Sequence, residues 1–185
     1  MKDHSIDWEI GRHNWSALRA LESAAHIPLA IRSLIKSSSE DAARIAYRQI
    51  DNTVVVQGSL YESAVATATC LVMALPLATD SGRERILGVL CEIVGGDAVS
   101  GEADDLGWRC RCEISRGVPL YLTFIENGSR MERLYCCDLL SILCEFEVGI
   151  SARVLYYFER LLEQPDIDDQ LSSVLVNSMI QIRSL

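Results

Sequence analysis

The sequence predicts an all-α chain built of antiparallel helix pairs, and three observations carry that prediction. Apolar residues recur at helical spacing in one segment after another from Trp15 to the C-terminus. Short polar breaks that hold capping residues, Gly or Pro separate the segments. The 185 residues include only 4 Pro and 11 Gly, which suits long helices and short connections. At 49% hydrophobic and 23% charged, the chain can bury a core and falls outside the composition of disordered segments.

The elements follow in order. Residues 1–13 read as a polar N-terminal arm or short cap, with isolated apolar anchors at Ile6, Trp8 and Ile10. Asn14 is placed to N-cap a helix over 15–25 carrying Trp15, Leu18 and Leu21. Pro28 suits the first turn of a helix over 28–37 that turns Ile31, Leu34 and Ile35 inward. Ser39 can cap the next, from Glu40 to Ile50, with the stripe Ala42, Ile45, Ala46 and Ile50. The run Val54-Val55-Val56 is too short for a sheet of its own and reads as an extended linker. Gln57-Gly58-Ser59 reads as the opening of a long helix over 59–77, stopped by Pro76. Asp80-Ser81-Gly82 caps a helix over 82–95 that ends at Gly95-Gly96.

The stretch over 95–104 is the longest polar break. A helix from Asp104 to Ser115 follows, then one from Val118 to Glu126 with Pro119 in its first turn. Asn127-Gly128-Ser129 forms a turn and cap before a strongly apolar helix over 130–147. Ser151 starts a helix carrying Ile150, Val154, Tyr157 and Leu161. Asp166 or Asp168 starts the last, with Leu171, Val174, Leu175 and Ile182. The result is about nine helices. Paired segments recur at roughly 35–45 residues, the period of two-helix solenoid repeats, although an irregular helical bundle has the same local pattern.

Within this series, Trp15 and Leu18, the helix from Ile27 to Leu34, Ala42-Ala43-Arg44, Gln57-Gly58-Ser59-Leu60-Tyr61-Glu62-Ser63-Ala64 and the Arg-led helix from Arg83 to Leu90 stand in a particular order. That order resembles bacterial HEAT-like repeat proteins, a HEAT/armadillo-type pattern, most closely over residues 15–98. The chain departs from it at Val56, where the family often has His, and the C-terminal half matches only as generic helical hairpins. The resemblance implies a right-handed α-solenoid, with residues 14–185 as a single helical repeat domain. The family has no shared catalytic residues to carry over.

The formal net charge of −9, with a pI near 4.8, argues against a protein that tracks a phosphate backbone with clustered Lys and Arg. No nucleic acid is expected as a partner. A more basic protein would be steered to such a surface, and plain solubility would also account for the charge. The N-terminus lacks the apolar stretch of a signal peptide, and the run from Ala64 to Leu77 is too short to span a bilayer. No membrane association is expected, and the location expected is the cytoplasm. The seven Cys are odd in number and fall mostly in apolar stripes, as reduced buried thiols do. Cys110-Arg111-Cys112 and Cys136-Cys137 lack zinc-ligand spacing. No metal and no cofactor are expected.

His13 and Asp7 could form an acid–base pair, but no nucleophile elbow or phosphate loop accompanies them. Acidic residues gather at Glu102, Asp104 and Asp105, at Glu145 and Glu147, and at Asp166, Asp168 and Asp169. A helix N-terminus favours carboxylates, which accounts for the third group and for most of the first. Glu145 and Glu147 stand at the unfavourable end of their helix. Trp108, beside the acidic loop, reads as a core residue first and an aromatic anchor second.

The expected binding residues are therefore Asp104, Asp105, Trp108, Glu145 and Glu147. The expected function is non-enzymatic protein binding, as a cytoplasmic immunity protein that neutralises a bacterial toxin domain by occluding it. The alternatives are a housekeeping scaffold or assembly factor and a small enzyme with a site assembled from His13, Asp51, Tyr61 and Glu62.

Overall fold

The computed structural model describes residues 4–165 and 167–185. It is mostly helical with very little strand, and the chain groups into two compact units, one up to Arg116 and one from Gly117.

The first unit begins with a helix where the sequence suggested an arm. Helix α1 spans His4–Gly11 and buries Ile6 and Ile10 while Trp8 faces solvent. The anchors lie four residues apart, so one helix face meets α4 (Ser63–Ala74). The helix expected over 15–25 is absent. That stretch runs as turns into a short 3₁₀ segment at Ala24–His26. Its backbone groups bond to distant elements instead: Leu21 N–H donates to the Thr53 carbonyl at 3.1 Å, and the Arg19 carbonyl accepts from Ser63 N–H at 3.0 Å. Trp15 is buried, its indole N–H donating to the Ile10 carbonyl at 2.8 Å, whereas Leu21 is exposed.

Helices α2 (Ile27–Ile35) and α3 (Glu40–Val54) pack on each other. Pro28 sits in the first turn of α2, and Ser39 caps α3 by accepting from Ala42 N–H. Ala46 and Ile50 of the expected stripe of α3 face inward, joined by Ala43, whereas Ala42 and Ile45 point to solvent.

Gln57-Gly58 opens no helix. The two residues have φ of 51° and 78° and form the two-residue turn of a hairpin between β1 (Val55–Val56) and β2 (Ser59–Leu60). Positive φ at both central residues matches the right-handed twist of paired strands, and Gly at the second position supplies it without strain. A third strand, β3 (Asp97–Ala98), pairs parallel to β2 inside what read as a polar break. The β-branched run was therefore half of a hairpin rather than a linker, and α4 starts at Ser63. Pro76 ends the helical run in a 3₁₀ turn at Leu75–Leu77.

Helix α5 (Asp80–Val94) is capped by Thr79, one residue before the expected cap. Thr79 also closes the end of α2: its N–H donates to the Ile35 carbonyl at 3.1 Å and its hydroxyl to the Ser37 carbonyl at 2.5 Å. Gly82 then lies against α2 so closely that an added Cβ would sit 2.2 Å from the Leu34 carbonyl oxygen. Helix α5 packs on α2 and α3, and α6 (Leu106–Ser115) packs on α4 and α5.

In the second unit, α7 (Val118–Asn127) carries Pro119 in its first turn. Ser129 and Glu132 form a capping box at the start of α8 (Arg130–Phe146). Helix α9 (Ser151–Leu162) buries Val154, Phe158 and Leu161; Tyr157 is only half-buried. Helix α10 (Asp169–Arg183) is capped by Asp168, whose carboxylate accepts from Leu171 N–H at 3.0 Å. Asp166 lies outside the described residues. Helix α8 packs on α7 and α10, and α9 on α7 and α10. No described helix is long and apolar enough to cross a membrane.

Two predictions follow from these junctions. Gly82→Ala should cost about 1–3 kcal/mol, because the obstacle is a backbone carbonyl that cannot rotate away. Gly11→Ala, where an added Cβ meets nothing within 4 Å, is the control. Denaturant melts of both variants check this.

Asp168 is also held by Arg130, which donates to both carboxylate oxygens, at 2.8 and 3.2 Å. Those bonds, with the Leu171 N–H, lower its pKa below the ordinary 3.8. A carboxyl lowered on folding contributes stability fully present above its ordinary value and lost as the pH falls through the lowered one. Asp168→Asn keeps an acceptor at the cap and removes the charge. Its melting temperature should fall below that of the parent at neutral pH, and the gap should close below pH 3.8.

Candidate functional site

The acidic loop between β3 and α6 is fixed from below by one residue of the irregular segment. The Arg19 backbone N–H donates to the Glu62 carboxylate at 3.1 Å, which anchors Arg19 beside α4. Its guanidinium reaches the loop, donating to the Gly101 carbonyl at 2.5 Å and lying 3.4 Å from the Glu102 carboxylate. Glu102 keeps only 5% side-chain exposure and is taken up internally. Asp104 and Asp105 remain exposed. Asp105 precedes the first turn of α6, yet its side chain caps nothing; its carbonyl accepts from Arg109 N–H at 2.9 Å.

Helix α6 buries Leu106, Cys110 and Ile114, spaced by four. That stripe fixes the rotation of the helix and turns Trp108 outward at 57% exposure. The core reading of Trp108 is thus overturned: the inward positions were taken by smaller residues on either side of it. Asp104, Asp105 and Trp108 together form an exposed acidic and aromatic surface on the first unit.

Glu145 and Glu147 belong to the second unit. Both are exposed at the C-terminal end of α8, where the helix dipole disfavours a carboxylate. Glu145 accepts a hydrogen bond from the Gln181 side chain of α10, a neutral partner that leaves its charge uncompensated. Glu147 is the C-cap residue, and its N–H donates to the Leu143 carbonyl at 2.8 Å. Of the third acidic group, Asp168 is taken up by its cap and by Arg130.

The second unit also carries an open groove of about 530 Å³, lined by Tyr156, Tyr157, Arg160 and Glu126 among others. Tyr156, 60% exposed, stands edge-on to Tyr157 with ring centroids 6.0 Å apart. The sequence reading missed this groove, because it placed Tyr157 in the core stripe and passed over Tyr156.

The residues considered for acid–base chemistry have separate partners. Asp7 pairs with Arg32 at 2.9 Å, and His13 lies 3.3 Å from Glu9. Asp51 is half-buried and pushed up by burial, with Glu92 adding to the shift. Glu62 serves the Arg19 backbone. Burial pushes the Cys70 and Cys110 thiols up to about 12, far from the thiolate a nucleophile requires.

One group of donors was not legible in the chain. Glu9, His13 and Cys70 place a carboxylate oxygen, an imidazole nitrogen and a thiol sulfur within 4.8 Å of one another. Glu9 and His13 show the i, i+4 spacing that could have flagged half of it. Cys70 reaches it only through the packing of α4 on α1.

Comparison with protein-family models, with curated proteins and with solved structures returns no match.

If Arg19 is what positions the acidic loop, Arg19→Ala should raise amide exchange over residues 99–105 and leave the helices protected. Hydrogen-exchange mass spectrometry on parent and variant checks this.

Proposed function

We propose that this protein is a non-enzymatic binding module, a right-handed stack of helix pairs that captures a more basic protein at Asp104, Asp105 and Trp108. The observation that carries the reading is the exposure of Trp108 beside two carboxylates, on a loop held in place by Arg19. An exposed Trp on an ordered element offers a large contact area at little entropic cost, and Trp is enriched among residues that dominate interface energies. The net charge of −9 supports it by steering a basic partner to the surface.

The stacked-pair reading draws support from packing within each unit. In the first, α4 neighbours both α2 and α6, and α3 neighbours α5; in the second, α7 neighbours α9 and α8 neighbours α10. Alternate helices side by side in rows are what stacked hairpins produce. Such an array can cover a partner's active site without chemistry. The specific form of the proposal is an immunity protein that neutralises a bacterial toxin domain in the cytoplasm. A housekeeping scaffold would use the same surface, with partners of a different kind.

The test starts from the genes beside this one. A neighbouring effector toxin should be neutralised on co-expression with the parent chain and should co-purify with it. Trp108→Ala combined with Asp104→Lys and Asp105→Lys should weaken capture at least tenfold at low salt, with little change in melting temperature, since exposed charges contribute little to folding. Glu145→Lys with Glu147→Lys tests the second unit separately: loss of capture there alone moves the site to α8. Recovery only of housekeeping complexes overturns the immunity reading.

A further inference from the structure

We propose that Glu9, His13 and Cys70 form a binding site for a zinc-class divalent cation that clasps α1 to α4, independently of the partner-binding surface. The three donors come from α1, the turn after it, and a packed face of α4. Their types are carboxylate oxygen, imidazole nitrogen and thiol sulfur, the mixed set that zinc accepts and that magnesium or calcium does not. The Glu9 oxygen and His13 Nε2 are already 3.3 Å apart. That matches the roughly 3.3–3.6 Å between neighbouring donors in a tetrahedral shell of ordinary zinc bond lengths. The full set lies within 4.8 Å.

The donors are sheltered from solvent. Glu9 keeps 12% side-chain exposure and His13 17%, while Cys70 is fully buried. The charge now compensating Glu9 is Arg12, whose Nε lies 2.8 Å from the same carboxylate oxygen and 3.5 Å from His13 Nε2. The guanidinium thus stands where the two donors converge. Its side chain is 62% exposed and can swing into solvent when a metal takes its place. His13 is steadied by the edge of the Trp15 ring, with centroids 5.5 Å apart, and Trp15 is itself held by the Ile10 carbonyl.

A cavity of about 180 Å³ opens beside Glu9 and Arg12, lined also by Thr69 and Glu113. It gives an ion access from solvent to the Glu9 side of the site. On binding, the cation's own charge displaces the proton that burial otherwise holds on Cys70: the S–H bond breaks, the sulfur–metal bond forms and the proton leaves to solvent.

The experiment uses the full chain and two probes, Co²⁺ for its spectrum and Zn²⁺ for affinity by competition with a chromophoric chelator. One Co²⁺ per chain should bind, with a thiolate charge-transfer band and the intense visible bands of a four-coordinate ion. Cys70→Ala should abolish the charge-transfer band. His13→Gln should weaken Zn²⁺ by more than the about 10–100-fold that loss of an outer-shell partner costs. Arg12→Ala should tighten binding, because it removes the competing cation; a purely structural role for Arg12 does not predict this. His13→Gln changes a residue of the turn and leaves the packed face of α4 intact, so the test stands even if Cys70→Ala fails to fold. Absence of stoichiometric binding, or a charge-transfer band that survives in Cys70→Ala and comes from the other thiols, overturns the site.

Discussion

The first unit depends on how the C-terminal end of α2 is closed. A helix leaves its last carbonyls without partners, and each one buried without a replacement costs about 1–3 kcal/mol. Thr79 supplies the replacements for Ile35 and Ser37 and at the same time caps α5. Gly82 lets the first turn of α5 lie directly on the Leu34 carbonyl. A single residue thus ends one helix and begins another, and the contact leaves no room for a methyl group. Helix α3 packs on both partners of this junction, and α6 rests on α5. The buried Ile27, Ile31, Leu34, Ile86, Leu87 and Leu90 are brought into register by it.

Much of the fold was legible because its signals are local. Ser39, Ser129, Pro28 and Pro119 do in the structure what their chemistry demands of a helix start. What was not legible depends on residues far apart in the chain. The segment after Trp15 looks helical by spacing, but its backbone bonds go to Thr53, Glu62 and Ser63, so tertiary partners outweigh a weak local preference. Gln57-Gly58 was misread as a helix opening, although a Gly-containing pair beside a β-branched run is the simpler signal of a hairpin. In α3, Ala46 and Ile50 face inward as their spacing says, while Ala43 is inward and Ala42 outward because neighbouring alanines give the pattern little to choose between.

The candidate sites divide along the same line. Asp104 and Asp105 were found by composition, and their exposure agrees with that. Trp108 was weighted towards the core on the general habit of its residue type, whereas the local stripe of Leu106, Cys110 and Ile114 already assigns it to the other face. Net charge gave the sign of the surface without its distribution. Glu102 and Asp168 are paired with Arg19 and Arg130, so fewer carboxylates stand uncompensated than the count suggests. The Glu9, His13 and Cys70 donors lay in separate elements, and only folding makes them neighbours.

The six-residue sheet has a consequence for the order of assembly. The hairpin between β1 and β2 is local and can close within microseconds. The parallel pairing of β2 with β3 is different, because it encloses all of α4 and α5 in one loop. Closing such a loop costs chain entropy before its few hydrogen bonds return anything. Docking of β3 is therefore a late event, waiting until α4 and α5 have packed and brought Gly96 and Asp97 to the hairpin. The acidic loop and α6 follow β3 directly in the chain, so the surface that carries Trp108 takes its final form only once the interior behind it is complete.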